Sequence, residues 1–179
     1  GGVALNYGIS GTRIARQNVV TEDLFDRDIN MRVEEMDASA DVVVVFGGTN
    51  DFGHGDAPIG KFTDNTVYTF YGALHVLYRQ LLERFPEKDI IVLTPLHRLS
   101  ENVTINERGI PCEPLKKYVE AIREVAEYYS LPELDLWYLI GMMPSVDVIR
   151  EKYMPDGLHP SDLGAAKIAD KLRDFLISL

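Results

Sequence analysis

Two runs of the chain, Asp41-Val42-Val43-Val44-Val45-Phe46 and Asp89-Ile90-Ile91-Val92-Leu93-Thr94, constrain its fold more than any other feature. A strand with one face in water alternates apolar and polar residues. These runs do not alternate, which is the pattern of strands buried on both faces of a parallel sheet. Between them, Val67, Phe70, Tyr71, Leu74, Leu77, Tyr78, Leu81 and Phe85 recur at helical spacing and mark one apolar stripe. Strand, helix and strand in that order make a parallel crossover.

The alternation continues downstream. Pro95 stops the second run, and Pro114 suits the first turn of a helix with Leu115, Tyr118, Val119, Ile122, Val125, Ala126 and Tyr129 inward. Glu133-Leu134-Asp135-Leu136 reads as a short strand. Ser161 then suits the N-cap of a last helix, with Ala165, Ile168, Ala169, Leu172, Phe175 and Leu176 inward. Upstream, Val3–Tyr7 reads as a short strand, residues 31–36 as a helix in an otherwise irregular stretch, and 47–65 as a long loop. The expectation is α/β, with a parallel sheet carrying helices on both faces. At 179 residues, without repeat or linker, this is a single domain over 1–179.

Lys and Arg number 18 against 28 Asp and Glu, a net charge of −10, and no basic patch stands out. A nucleic-acid partner is therefore not expected. No apolar run reaches the ~18 residues of a membrane span, so the chain reads as soluble and cytoplasmic. Cys112 is the single cysteine, which leaves no internal disulfide or cysteine cluster and reads as an inert loop residue.

In open parallel sheets, reactive groups collect at the carboxyl ends of strands. Asp156-Gly157-Leu158-His159, between Pro155 and Pro160, sets a carboxylate and an imidazole three residues apart on a tight turn. Such a pair can hydrogen-bond directly, which fixes the imidazole tautomer and suits it to general-base work. Gly47-Gly48-Thr49-Asn50-Asp51 follows the valine run, and the Asn50 amide there can donate to a developing oxyanion. The backbone N–H of Gly11 can do the same. His97 and Arg98 follow the second strand and are candidate substrate contacts. Asp51 reads as a hydrogen-bonder supporting its loop, His75 as packed, Trp137 as core, and Met142, Met143 and Met154 as gap fillers.

Asn6-Tyr7-Gly8-Ile9-Ser10-Gly11-Thr12, Gly47 to Asp51 and Asp156 to Pro160 resemble three of the four motif blocks of the SGNH (GDSL-type) hydrolases. They stand in the family's order and span essentially the whole chain. The resemblance implies a flavodoxin-like sandwich and an esterase needing neither metal nor organic cofactor. It further implies that His159 is the general base and Asp156 its partner, with Gly11 and Asn50 as two legs of the oxyanion hole. The substrate would be a small-molecule ester with a short acyl group.

The family's nucleophilic serine sits in a Gly-Asp-Ser block on the first strand, ahead of the block containing Gly11. This chain has no Gly-Asp-Ser, and only ten residues precede Gly11. The expectation is an N-terminally incomplete domain, with the first strand and its serine upstream of Gly1. Ser10, beside an oxyanion donor, is poorly placed to attack. Two other readings stay open: a non-catalytic carbohydrate-binding module on the same scaffold, and a metal-dependent phosphodiesterase using Asp51, His54 and Asp56.

Overall fold

The computed structural model describes residues 2–20 and 25–179. Its centre is a parallel sheet of three strands in the order β1 (Val42–Phe46), β2 (Asp89–Leu93), β3 (Glu133–Leu134). Val42 pairs with Asp89 and Phe46 with Leu93, while Leu93 pairs with Leu134. The helices are α1 (Thr49–His54), α2 (Phe70–Arg84), α3 (Leu115–Tyr128), α4 (Leu136–Leu139), α5 (Asp147–Tyr153) and α6 (Asp162–Ser178), preceded by a 3₁₀-helix at Ile29–Glu35.

β2 explains the layering. Ile90 and Val92 join one core with Val43, Val45 and the stripes of α2 and α3. Ile91 and Leu93 join the other, against Leu134, Ile140 and Met154, with Ile168, Leu172 and Phe175 of α6 packed on it. Helices thus cover both faces of the sheet, as the apolar runs required. Side-chain caps start the long helices where the sequence offers them: the hydroxyls of Thr69 and Ser161 accept from the N–H groups of Gly72 and Gly164.

Several expectations need correction. Val3–Tyr7 forms no strand, and Val3 and Leu5 are exposed. β1 buries only Val43 and Val45, while Val42, Val44 and Phe46 remain 39–47% exposed. The stretch 47–65 is not all loop, because it holds α1. Pro114 is the N-cap of α3 rather than within its first turn, and β3 ends at Leu134. On α6, Ala165, Ala169 and Leu176 face outward. Three of these departures, at Val3–Tyr7, β1 and Leu176, share one location. Between residues 2–8 and the outer edge of β1 runs a groove of about 1120 Å³, reached by Leu176 and lined by Val42, Val44 and Phe46. The two segments do not pair across it.

Candidate active site

The turn after α5 is built from its own backbone. Gly157 takes φ +77°, which glycine adopts without strain, and its N–H closes onto the Met154 carbonyl at 2.7 Å. Asp156 Oδ1 accepts from the N–H groups of Leu158 at 2.9 Å and His159 at 2.7 Å. Its Oδ2 meets His159 Nδ1 at 2.7 Å. The hydrogen bond from the His159 ring, then those two N–H groups, hold the Asp156 carboxyl down at about 2. An ionised carboxylate only accepts, so Nδ1 carries a proton and Nε2 of the neutral ring is left as an acceptor. The imidazole is reachable, with 74% of its side chain exposed.

The candidate oxyanion donors lie beyond β1. Gly48, at φ +103°, turns the chain into α1. There, Asn50 Nδ2 donates to the Thr12 carbonyl at 3.0 Å, which draws the glycine block and the asparagine together. An amide nitrogen carries two hydrogens, so one remains for a ligand. Asp51 beside it is buried and accepts from Ile14 N–H at 3.0 Å and Ala15 N–H at 2.8 Å. Burial pushes its carboxyl up to about 7 despite those donors and nearby Arg13.

Arg13 is buried and paired with Asp26. Its guanidinium also donates to the Gly11 carbonyl at 3.3 Å and to His54 Nδ1 at 3.2 Å. Gly11 itself sits at φ +76° with the Phe25 ring against it. Nothing in the sequence marked Arg13.

The residues of the metal reading do not converge. Asp51 faces the backbone of Ile14 and Ala15, and His54 faces Arg13. Asp56 caps the N–H groups of Asn18 and Val19, both at 2.7 Å. Burial, then Arg13, lowers the His54 pKa, which disfavours its charged form.

The loop after β2 touches both α1 and the Asp156–His159 turn. The Arg98 side chain is buried. Its guanidinium lies 5.3 Å from the Phe52 ring, 3.5 Å from the Thr49 carbonyl and 2.5 Å from Glu107. A Cβ at Gly53 would stand 2.7 Å from it. The next residue, Leu99, donates its N–H to the Gly157 carbonyl at 2.8 Å, and any side chain at 157 would collide with it. Consecutive residues therefore touch the asparagine's helix and the histidine's turn.

His97 stacks on Trp137 with centroids 3.7 Å apart, and its Nδ1 meets Glu101 at 3.0 Å. His75 is packed, as its helical position suggested, with Nδ1 3.3 Å from the Tyr129 hydroxyl. Met142 and Met154 are core, whereas Met143 is partly exposed. Ser10 is exposed in its loop. Among the described residues, no helix is long and apolar enough to cross a membrane.

Known structures share this arrangement of sheet and helices. A protein from Lactobacillus plantarum is 31% identical with TM-score 0.81, over 97% of this chain and 80% of its own. A lipase/acylhydrolase from Enterococcus faecalis is 23% identical with TM-score 0.56, over 90% and 69%. A peptidoglycan O-acetylesterase is 19% identical with TM-score 0.58, over 84% and 41%. No curated protein matches significantly in sequence. The profile of the GDSL-like lipase/acylhydrolase family matches residues 1–167, running from before the glycine block to beyond the Asp156–His159 turn. With the motif order, the sheet and the family match in agreement, the chain belongs to the GDSL-like lipase/acylhydrolase family.

Proposed function

We propose that the protein is a serine-dependent carboxylic ester hydrolase acting on short acyl groups. The observation that carries this reading is the Asp156–His159 contact at 2.7 Å, which leaves Nε2 accessible and able to accept a proton. His159 takes the proton of a serine hydroxyl as its oxygen attacks the ester carbonyl. The resulting oxyanion is held by the free hydrogen of Asn50 Nδ2 and by N–H groups at Gly11 and the serine. Collapse breaks the ester bond to the alcohol, which leaves with the proton from His159. Water then attacks the acyl-enzyme by the same route and releases the acid.

The nucleophile in this reading is a serine upstream of Gly1, on a strand seated in the groove beside β1. Support comes from the groove itself, whose wall is an unpaired strand edge carrying Val42, Val44 and Phe46. Such an edge is a ready template for another strand. A strand parallel to β1 there would end near Gly11 and Asn50.

Hydrolysis of p-nitrophenyl acetate by the full-length protein tests the reading. His159→Ala should lower kcat roughly 10⁴-fold or more, as loss of a triad base does. Asn50→Ala should cost about 10²–10³-fold, as loss of an oxyanion donor does. Equal rates in wild type and His159→Ala would overturn it.

A further inference from the structure

The block around Gly11 is gripped by a buried cation with no part in the reaction steps above. Arg32, on the 3₁₀-helix Ile29–Glu35, is only 5% exposed. Its Nη1 donates to the Tyr7 carbonyl, and its Nη2 donates to the Thr12 hydroxyl at 2.8 Å. Its Nε lies 3.5 Å from the Asp28 carbonyl. One guanidinium thus spans both ends of the stretch from Tyr7 to Thr12. Among the described residues, none of these acceptors is a carboxylate. Burial, then nearby Arg27, lowers the Arg32 pKa, so the charge is held there against its desolvation. A buried guanidinium bonded to neutral oxygens points to a demand for geometry rather than for charge pairing.

What Arg32 grips is a turn. The Ile9 carbonyl accepts from the Thr12 N–H at 3.3 Å and from the Thr12 hydroxyl at 2.8 Å. The hydroxyl bonded to Arg32 is therefore the one that closes the turn. Gly11 stands third in it at φ +76°, in the region a type II turn requires at that position. Its N–H belongs to the turn's central peptide unit, and among the described residues no oxygen accepts from it. The carbonyls on the exit side are tied down as well. That of Thr12 accepts from the Asn50 amide at 3.0 Å, and that of Arg13 accepts from the Ile29 N–H at 3.0 Å.

We propose that Arg32 is a positioning residue that sets where the Gly11 N–H stands relative to the Asn50 amide. Two donors stabilise one oxyanion only if both reach it, so their mutual placement matters as much as their presence. Asn50 fixes one side of the turn through the Thr12 carbonyl. Arg32 fixes the other, at the Tyr7 carbonyl on entry and the Thr12 hydroxyl on exit. Without Arg32 the turn keeps its own hydrogen bond but loses its fixed place against the 3₁₀-helix. The oxyanion task of the two donors rests on the esterase reading above; the brace between Arg32 and the turn does not.

Kinetics of the full-length protein on p-nitrophenyl acetate test the proposal. Arg32→Lys keeps the charge but offers one ammonium where two acceptors stand apart. It should lower kcat about tenfold with KM within about twofold, because an oxyanion donor acts in the transition state. Arg32→Met should lower kcat about 10²-fold, the order that a misplacement of about 1 Å costs. Thr12→Val removes the gripped hydroxyl while nearly keeping its shape, and should match Arg32→Lys. Combined with Arg32→Met it should add little, since both cut one relay. Raised KM at unchanged kcat, or losses that multiply in the double variant, would overturn the proposal.

Amide order parameters from NMR relaxation give a reading independent of turnover. Isotope labelling of serine carbonyl carbons and glycine nitrogens picks out Ser10–Gly11, the one Ser-Gly pair in residues 1–179. The Gly11 amide should lie near the ~0.85 of rigid backbone and fall below about 0.6 in Arg32→Lys, while the other glycine amides hold their values. An unchanged Gly11 value in that variant would overturn the brace even if the esterase reading stood. The expected fall in a protein whose turnover does not depend on His159 would support the brace and sink the esterase reading.

Discussion

β1 and β2 are the same kind of sequence in different surroundings. Both are five-residue strands, β1 wholly apolar and β2 apolar after Asp89, paired in parallel register from Val42–Asp89 to Phe46–Leu93. β2 is sealed on both sides, and four of its five residues are buried. β1 is sealed only where Val43 and Val45 meet α2 and α3. The composition of a strand states how much apolar area it is able to bury. What packs against it determines how much it does bury. The mismatch in β1 is itself informative, because an apolar edge facing a groove is a surface able to take a further partner.

The largest effect that would break this contrast is a charge in each strand. In the Gly1–Leu179 chain, Ile91→Asp should abolish cooperative unfolding in urea, since the carboxylate would be buried without a partner. Val44→Asp should cost less than about 1 kcal/mol in the same assay, because its side chain meets the open groove. Similar losses in both would show that β1 is covered after all. Where a strand occupies the groove, as proposed for the serine, the cost of Val44→Asp should rise toward that of Ile91→Asp.

A middle-sized effect lies just beyond the carboxyl end of β1. Asp51→Asn replaces one acceptor oxygen with a donor and leaves an N–H of Ile14 or Ala15 unpaired, at about 1–3 kcal/mol. The pH dependence carries the sign. A carboxyl raised to about 7 when folded binds its proton more tightly than the unfolded chain does. Its contribution is therefore fully present below pH about 4 and lost as pH rises through about 7. Urea midpoints of wild type minus Asp51→Asn should fall across that window; a flat difference would show that Asp51 titrates normally.

The smallest effect concerns α6, which covers the β2 side of the sheet. Ser161→Ala should cost about 1 kcal/mol in urea unfolding through loss of the cap to Gly164 N–H. No change would mean that packing of Ile168, Leu172 and Phe175 alone fixes this helix.

Much of the molecule was legible because its signals are local. The stripes of α2 and α3, the Ser161 cap and the Asp156–His159 contact each depend on residues close in sequence. What escaped depends on partners far along the chain. α1 has six residues and a glycine cap, so it shows neither a period nor a capping side chain. Val3–Tyr7 has a strand's composition, but a strand exists only as one side of a ladder. The stripe of α6 was visible, yet Ala165 and Ala169 are exposed and Leu176 lies at the groove beside β1. Arg98 stood out as polar at a strand end, and its inward course is set by Phe52, Gly53 and Glu107.

One peptide unit separates the side chain that braces α1 from the backbone N–H that holds Gly157. A bend of the whole sheet would therefore carry the amide and the imidazole in the same direction and leave their spacing intact. Distortion within the short stretch from Pro95 to Leu99 would pull them apart, so the spacing of the Asn50 amide and the His159 imidazole is vulnerable there.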